Sequence, residues 1–276
     1  YTRTRTQQPL QDNASNGLLR NSLRGQTPAV ASPWQPGWRG FSPALTNSYD
    51  NQVRTERTTL GVTATFRPFS WFQNRLTLGM DKQDLRNTNF FAIDTTGRAP
   101  WGNVNATGTV SHFIPITHVW TLDYAGTVNV DITPSLASAF SGGMQLNSRN
   151  RRSTSAFGEG LIANNLNLVS AAAVTRAAET FDEQTSLGFY VQEQLGWNDR
   201  LYGTVAVRVD DNSAFGSDFS LVVYPKASLS WVISEERFFS LPLIDQLKVR
   251  GAWGQAGQAP APFSADRTFT VARTTL

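Results

Sequence analysis

The chain has 276 residues, 16% of them charged, no cysteine, and a net charge of +3 from 24 Lys and Arg against 21 Asp and Glu. The missing cysteines exclude a disulfide framework, a thiolate metal site and a cysteine nucleophile, and a small, scattered excess of basic residues excludes a nucleic-acid surface. No stretch approaches the run of about 18 apolar residues that a membrane helix needs, and a mean hydropathy of −0.30 excludes a helical membrane bundle; low charge with many Ser, Thr, Asn, Gln, Gly and aromatic residues fits a sheet with one apolar and one wet face.

In chain order, residues 1–8 alternate Thr with Arg or Gln and read as the tail of a strand, with a start inside an element as the expectation. Residues 9–50 carry Pro28, Pro33, Pro36 and Pro43 with Trp34, Trp38 and Phe41 between them. Proline at that density excludes a central strand or helix and predicts a long loop with a binding role. Residues 59–66 alternate again, with Leu60, Val62, Ala64 and Phe66 on one face. An aromatic-rich turn at 67–72 leads into a strand over 75–84. Residues 94–115, with Gly97, Pro100, Trp101 and Gly102, read as a second long loop. Residues 120–132 set Trp120, Leu122, Tyr124, Val128, Val130 and Ile132 against Asp123, Thr127, Asn129 and Asp131. A tight Thr133-Pro134-Ser135 turn returns the chain along 136–157. Residues 158–182 are a third long connection, within which 166–178 is a candidate short helix.

The clearest pattern spans 185–233, three strands joined by one short turn and one long loop. In 201–210 the odd positions are Leu201, Gly203, Val205, Val207 and Val209, and the even ones Tyr202, Thr204, Ala206, Arg208 and Asp210. The period of two puts aliphatic side chains on one face and polar ones on the other. Before it, Leu187, Phe189, Val191, Leu195 and Trp197 oppose Ser186, Tyr190, Gln192, Gln194 and Asn198; Glu193 falls on the apolar side, where a bulge or interfacial position would relieve its cost. After it, Leu221, Val223, Ala227, Leu229, Trp231 and Ile233 oppose Tyr224, Lys226, Ser228 and Ser230. Residues 234–246 form a turn with a helical piece for which Ser234 is the expected N-cap. A strand over 247–256 carries Lys248 and Arg250 on its polar face. A Pro-rich loop follows, and 268–276 begins another strand. The total is roughly ten antiparallel strands with connections alternating short and long, and with Trp71, Trp120, Trp197 and Trp231 near strand ends like an interfacial girdle. The expected fold class is all-β: a segment of a transmembrane β-barrel, with residues 1–8 and 268–276 as its two unpaired edges.

Several segments then resemble one family. Gly188-Phe189-Tyr190-Val191-Gln192-Glu193-Gln194, Trp197-Asn198-Asp199-Arg200-Leu201 and Arg208-Val209-Asp210-Asp211-Asn212-Ser213-Ala214-Phe215-Gly216 resemble SusC/RagA-type TonB-dependent outer-membrane receptors. So do Tyr224-Pro225-Lys226-Ala227-Ser228, Trp231-Val232-Ile233-Ser234-Glu235-Glu236 and Leu247-Lys248-Val249-Arg250-Gly251-Ala252-Trp253-Gly254. The match covers 186–257; elsewhere only the layout agrees. The resemblance implies a plugged barrel of about 22 strands in the bacterial outer membrane. It implies nutrient import driven by the TonB complex, usually with a surface lipoprotein as lid. No plug or TonB box is recognisable here, so the expectation is one barrel portion, 1–276, of a longer receptor for a bulky nutrient such as a glycan or peptide. A passive porin-like channel and a soluble carbohydrate-binding β-sandwich are the alternatives.

Catalytic chemistry is not legible. The two histidines, His112 and His118, sit outside any metal-ligand spacing, and no GxSxG elbow exists. Gly158-Glu159-Gly160 lacks the βαβ setting of a dinucleotide site, and Asp210-Asp211-Asn212-Ser213 with Asp218 reads as a turn rather than a calcium loop. The expectation is no enzyme activity and no cofactor. The useful set is the polar face: Asp123, Asp131, Tyr190, Gln192, Tyr202, Arg208, Asp210, Lys226, Lys248 and Arg250 are the expected lumen-facing residues, toward plug, water or solute. Trp34, Trp38 and Trp101 on the long loops are the candidate ligand contacts.

Overall fold

The computed structural model describes residues 1–7, 19, 22–23, 49–93, 107–215, 221–241 and 243–257. Nine antiparallel strands form one sheet in strict chain order: β1 (Thr2–Gln7), β2 (Asp50–Phe69), β3 (Phe72–Phe91), β4 (Thr109–Thr133), β5 (Leu136–Glu159), β6 (Val174–Trp197), β7 (Leu201–Asn212), β8 (Val222–Val232) and β9 (Lys248–Gly254). Among the described residues there is no second sheet to sandwich it. β1 stands at one edge of that order and β9 at the other; the strand expected over 268–276 lies outside the described residues, as do Trp34, Trp38, Trp101 and Asp218. Among the described residues no helix is long and apolar enough to cross a membrane, which says nothing of crossing by strands.

The residues group into two compact units. One comprises Tyr1–Thr58, Lys82–His118 and Arg151–Phe181; the other comprises Thr59–Asp81, Val119–Asn150 and Asp182–Leu276.

The second unit holds the alternating sequence and the short turns. Asn198 and Asp199 both adopt positive φ, 48° and 56°, the conformation a tight hairpin needs and that Asn and Asp tolerate. The Arg200 N–H closes that turn on the Trp197 carbonyl at 3.0 Å. Neighbouring short turns are tied by backbone bonds, Asn198 N–H to the Ser135 carbonyl (2.8 Å) and Val232 N–H to that of Arg200 (2.8 Å). Ser234 is not the expected cap. The helical piece is a single 3₁₀ turn, Ile233–Glu235, capped at Val232 without a side-chain hydrogen bond, and the Ser234 hydroxyl has no partner. Three residues offer too few orphan N–H groups for an N-cap to matter.

The first unit carries polar side chains on both faces of its part of β2 and many polar contacts between strands. Thr88 meets His112 and, one residue on, Asn89 meets Ser111 and Tyr49. Arg3 and Arg54 pair with Glu56, and Lys82 with Asp84. Its only described core is small: Phe90, Val110 and Leu161, backed by Ile93 and Val169. Gly160 (φ +76°) and Gly108 (φ +74°) turn the chain there, and the Gly160 N–H donates to the Gly108 carbonyl at 3.1 Å. Gly158-Glu159-Gly160 thus serves a strand end.

Strands run further than the alternation predicts. β2 begins at Asp50 rather than 59, β3 reaches Phe91 rather than 84, and β4 starts at Thr109 inside the expected second loop. The candidate helix over 166–178 is instead one 3₁₀ turn, Val169–Ala171, followed by the start of β6 at Val174. Ladder hydrogen bonds sustain a strand whatever its side chains, whereas a period-two signal needs one apolar face; both faces of the β2 extension are largely polar, and in β4 His112 interrupts the apolar series Val110, Ile114 and Ile116.

Candidate functional site

The strand registers decide which side chains share a face. Tyr190, Arg208 and Tyr224 stand opposite one another across β6, β7 and β8. The next rows on that face are Gln192–Ala206–Lys226–Gly254, Gln194–Thr204–Ser228–Ala252 and Gly196–Tyr202–Ser230–Arg250, with Lys248 opposite Val232 below them. The other face reads Phe189–Val209–Val223, Val191–Val207–Pro225, Glu193–Val205–Ala227–Trp253, Leu195–Gly203–Leu229–Gly251 and Trp197–Leu201–Trp231–Val249. Eight of the expected polar-face residues are therefore brought together in register. Asp123 joins them through Gln145; Asp131 stands exposed near the β4–β5 turn.

Exposure is inverted relative to a water-soluble sheet. Val205 is 60% exposed while its neighbour Ala206 is 8% exposed. Phe189, Val191, Leu195, Trp197, Leu229 and Trp253 are likewise exposed, whereas Tyr190, Gln192, Gln194 and Arg208 are half-buried. On β6 and β7 the polar side chains pack over one another while the apolar ones stand exposed; on β8 and β9 Lys226, Ser228, Lys248 and Arg250 are exposed as well.

The polar face is a connected network. Arg208 Nε donates to Asp210 Oδ1 at 2.6 Å, and its Nη2 donates to Gln145 Oε1 at 3.2 Å. Gln145 Nε2 in turn reaches Asp123 Oδ2 at 3.5 Å. Arg208 lies on β7 and Gln145 on β5, so the guanidinium crosses β6. It crosses at Gly188, where any Cβ would collide with Arg208 and Asp210 side-chain atoms. The Tyr190 ring similarly lies over Gly143 of β5, whose Cβ would meet the ring at 2.7 Å and also strike the Tyr124 carbonyl. These glycines are needed for close approach rather than for backbone freedom. Thr121 with Asn147 (3.1 Å) and Thr127 with Ser141 (3.0 Å) extend the polar ladder over β4 and β5. Sequence reasoning passed over Gln145, Gly143 and Gly188. Alternation along β5 would have placed Gln145 on this face, but nothing in sequence signals a side chain spanning an intervening strand.

Charge on the face is uneven. Among the described residues Asp210 holds Arg208, while Lys226, Lys248 and Arg250 have no ion-pair partner. The arrangement supplies cations and amide and phenol donors to whatever faces it. Asn212 Oδ1 accepts the Ala214 N–H at 2.9 Å, so that acidic stretch ends in a turn closed by Asn212. Glu193, the one charge on the apolar face, accepts from the Ser138 hydroxyl at 2.5 Å, with no bulge in the β6–β7 register. In the first unit, burial first and then the Arg86 guanidinium hold His112 below the ordinary imidazole value, and Thr88 Oγ1 lies 3.2 Å from its Nδ1.

Comparison with known proteins completes the picture. The family model for the TonB dependent receptor-like β-barrel matches residues 1–275. Among solved structures, the RagAB peptide transporter aligns with a TM-score of 0.70 at 13% identity, over 80% of this chain and 24% of that one. The RagAB peptide importer in its open-open state aligns with a TM-score of 0.71 at 13% identity, over 84% of this chain and 26% of that one. The likeness at this identity is one of fold, and the chain spans about a quarter of the length of those solved chains. A comparison with curated proteins finds no match.

Proposed function

This chain belongs to the TonB dependent receptor-like β-barrel family, of the bacterial outer membrane, and from that premise we propose that it is a length of barrel wall in a TonB-driven importer of bulky nutrients. The observation that carries this reading is the inverted exposure of β6 and β7: Phe189, Val191, Leu195, Trp197, Val205 and Val207 stand exposed, while Tyr190, Gln192, Gln194, Ala206 and Arg208 on the other face are buried or half-buried. Water would select the opposite arrangement; a bilayer outside and a wet interior select this one.

The apolar rows run from Trp197 to Phe189, nine residues or about 27 Å along the strand at ~3.4 Å per residue, the lower end of the roughly 9–11 residues of a tilted membrane-spanning strand. The second unit thus crosses the membrane, with short turns on the periplasmic side. The first unit, with polar side chains on both faces of its part of β2, is suited to water. The polar rows Tyr190–Arg208–Tyr224 and Gln192–Ala206–Lys226, with Asp123, Asp131, Tyr202, Asp210, Lys248 and Arg250, face the lumen, where a plug, water and passing solute meet them. The role is transport rather than catalysis. The partners are the plug of the same receptor, the TonB complex and a surface lipoprotein. Glycans and peptides are the substrate classes, and the similar RagAB is a peptide transporter.

The test is uptake of labelled oligopeptides and oligosaccharides by cells expressing the full-length receptor, with and without TonB. Uptake that needs both the receptor and TonB supports the importer. Uptake that persists without TonB would establish a passive channel instead.

A further inference from the structure

The connection between β8 and β9 is much longer than the tight turns that join the other strands at this end of the second unit. It runs from Ile233 to Leu247 and includes Phe238, Phe239, Leu241, Leu243 and Ile244. Phe238 is 70% exposed and Leu243 98%; Leu241 and Ile244 are exposed as well. Apolar side chains held out in this way in a connecting segment indicate that something covers them.

The segment is pinned rather than loose. The Ile233 and Ser234 N–H groups both donate to the Leu247 carbonyl, closing its base. Phe239 N–H donates to the Glu236 carbonyl and Ile244 N–H to that of Leu241, both turn-type bonds. Glu236 is shared between two elements: its Oε2 pairs with Arg200 of the β6–β7 turn at 3.0 Å, and its Oε1 accepts the Trp231 indole N–H at 3.0 Å.

Those contacts fix the level and the side on which Phe238 sits. Trp231 belongs to the outward apolar face, in the row Trp197–Leu201–Trp231–Val249. Its indole N–H points to the turn end and its ring meets Phe238 edge-on at 6.2 Å. An indole with its ring on the apolar face and its N–H toward a carboxylate is in the orientation of a residue at a membrane–water boundary. Phe238 continues that face past the last strand residue. Arg237 beside it is exposed and, among the described residues, has no partner.

We propose that the β8–β9 connection is a membrane-interface anchor, laying Phe238, Leu241, Leu243 and Ile244 into the headgroup–acyl boundary of the periplasmic phospholipid leaflet. Continuity with the lipid-facing band through Trp231 and Phe238 names the occupant, and Arg237 is placed for lipid phosphate. A few apolar residues inserted a short distance, beside a basic one, are how interfacial segments hold a bilayer. Their effect here is to fix the height of this part of the barrel in the membrane. This inference rests on the barrel reading, so its test carries an internal reference.

The full-length receptor is reconstituted in phosphatidylcholine–phosphatidylglycerol nanodiscs with an environment-sensitive fluorophore attached through Leu243→Cys or, as reference, Val207→Cys. Quenching is measured with shallow and deep nitroxide lipids and with aqueous iodide. The expected result is deep-lipid quenching at 207, and at 243 quenching by the shallow nitroxide about twofold stronger than by the deep one, exceeding that by iodide. Lipid quenching at 207 with iodide dominating at 243 would overturn the anchor and leave the barrel standing. Protection from all three quenchers at 243 would also overturn it, by showing that protein covers the segment. Loss of lipid quenching at 207 would remove the barrel reading itself, and the anchor with it.

Discussion

Gly188→Ala isolates the crossing of Arg208 over β6. An added Cβ lands on the Arg208 guanidinium and the Asp210 carboxylate. The guanidinium must leave, which removes the 3.2 Å bond to Gln145 and loosens the 2.6 Å pair with Asp210. A hydrogen bond of that kind contributes about 1 kcal/mol net. The pair, with side chains 36% and 26% exposed, contributes about 1 kcal/mol or less in solvent-screened surroundings. Repacking brings the expected cost to about 1–3 kcal/mol. The assay is urea-dependent folding of the full-length receptor in phospholipid vesicles, followed by the gel shift of the folded barrel. In an Arg208→Ala background Asp210 is free to turn aside, and the same glycine change should cost no more than about 0.5 kcal/mol. Gly251→Ala is the control: a Cβ there meets nothing within 4 Å, so a gain of about 0.4–1 kcal/mol is expected from the stiffer unfolded chain. A cost at Gly188 that persists undiminished without Arg208 would refute the reasoning.

Val207→Arg should cost about 2–4 kcal/mol of folding into lipid, since Val207 is on the exposed apolar face near mid-band, whereas Thr204→Arg on the polar face should cost little; the same urea titration reads both. His112 has its folded-state pKa below the unfolded value, so its neutral form stabilises the fold fully above about 6.5 and that contribution is lost as pH falls through the folded value. Wild type should therefore lose stability below about pH 6.5 more steeply than His112→Gln, and superimposable profiles would contradict the assignment. Replacing Trp34, Trp38 and Trp101 together by Ala in the full-length receptor should lower substrate uptake while leaving the folded barrel intact; unchanged uptake removes them as ligand contacts.

The faces of the second unit were legible because lipid outside and water inside impose opposite polarities on alternate residues of one strand. Leu201 to Asp210 displays this without interruption, and the register confirms it. The same rule explains what was missed. From Asp50 to Thr58 on β2 and from Lys82 onward on β3 both alternations are polar, so strand continues where pattern stops. Glu193 looked like a fault in the pattern; its Ser138 partner lies 55 residues away on β5, a contact no local reading reaches. The Arg208–Gln145 bond is more distant still, 63 residues apart and across an intervening strand. Ser234 suggested a cap because Glu235 and Glu236 follow it. The structure uses Glu236 instead as the bond between two turns.

The central claim is that one face of β7 meets hydrocarbon and the other a wet interior. Spin labels carried by Val207→Cys and Thr204→Cys in the full-length, membrane-inserted receptor test it directly, read by collision with lipid-soluble oxygen and with a water-soluble nickel chelate. Oxygen should dominate at 207 and the chelate at 204, because Val207 lies on the exposed apolar face and Thr204 on the polar one. Protection from both reagents at 207 would mean a protein core on that face, and the membrane wall would have to be given up.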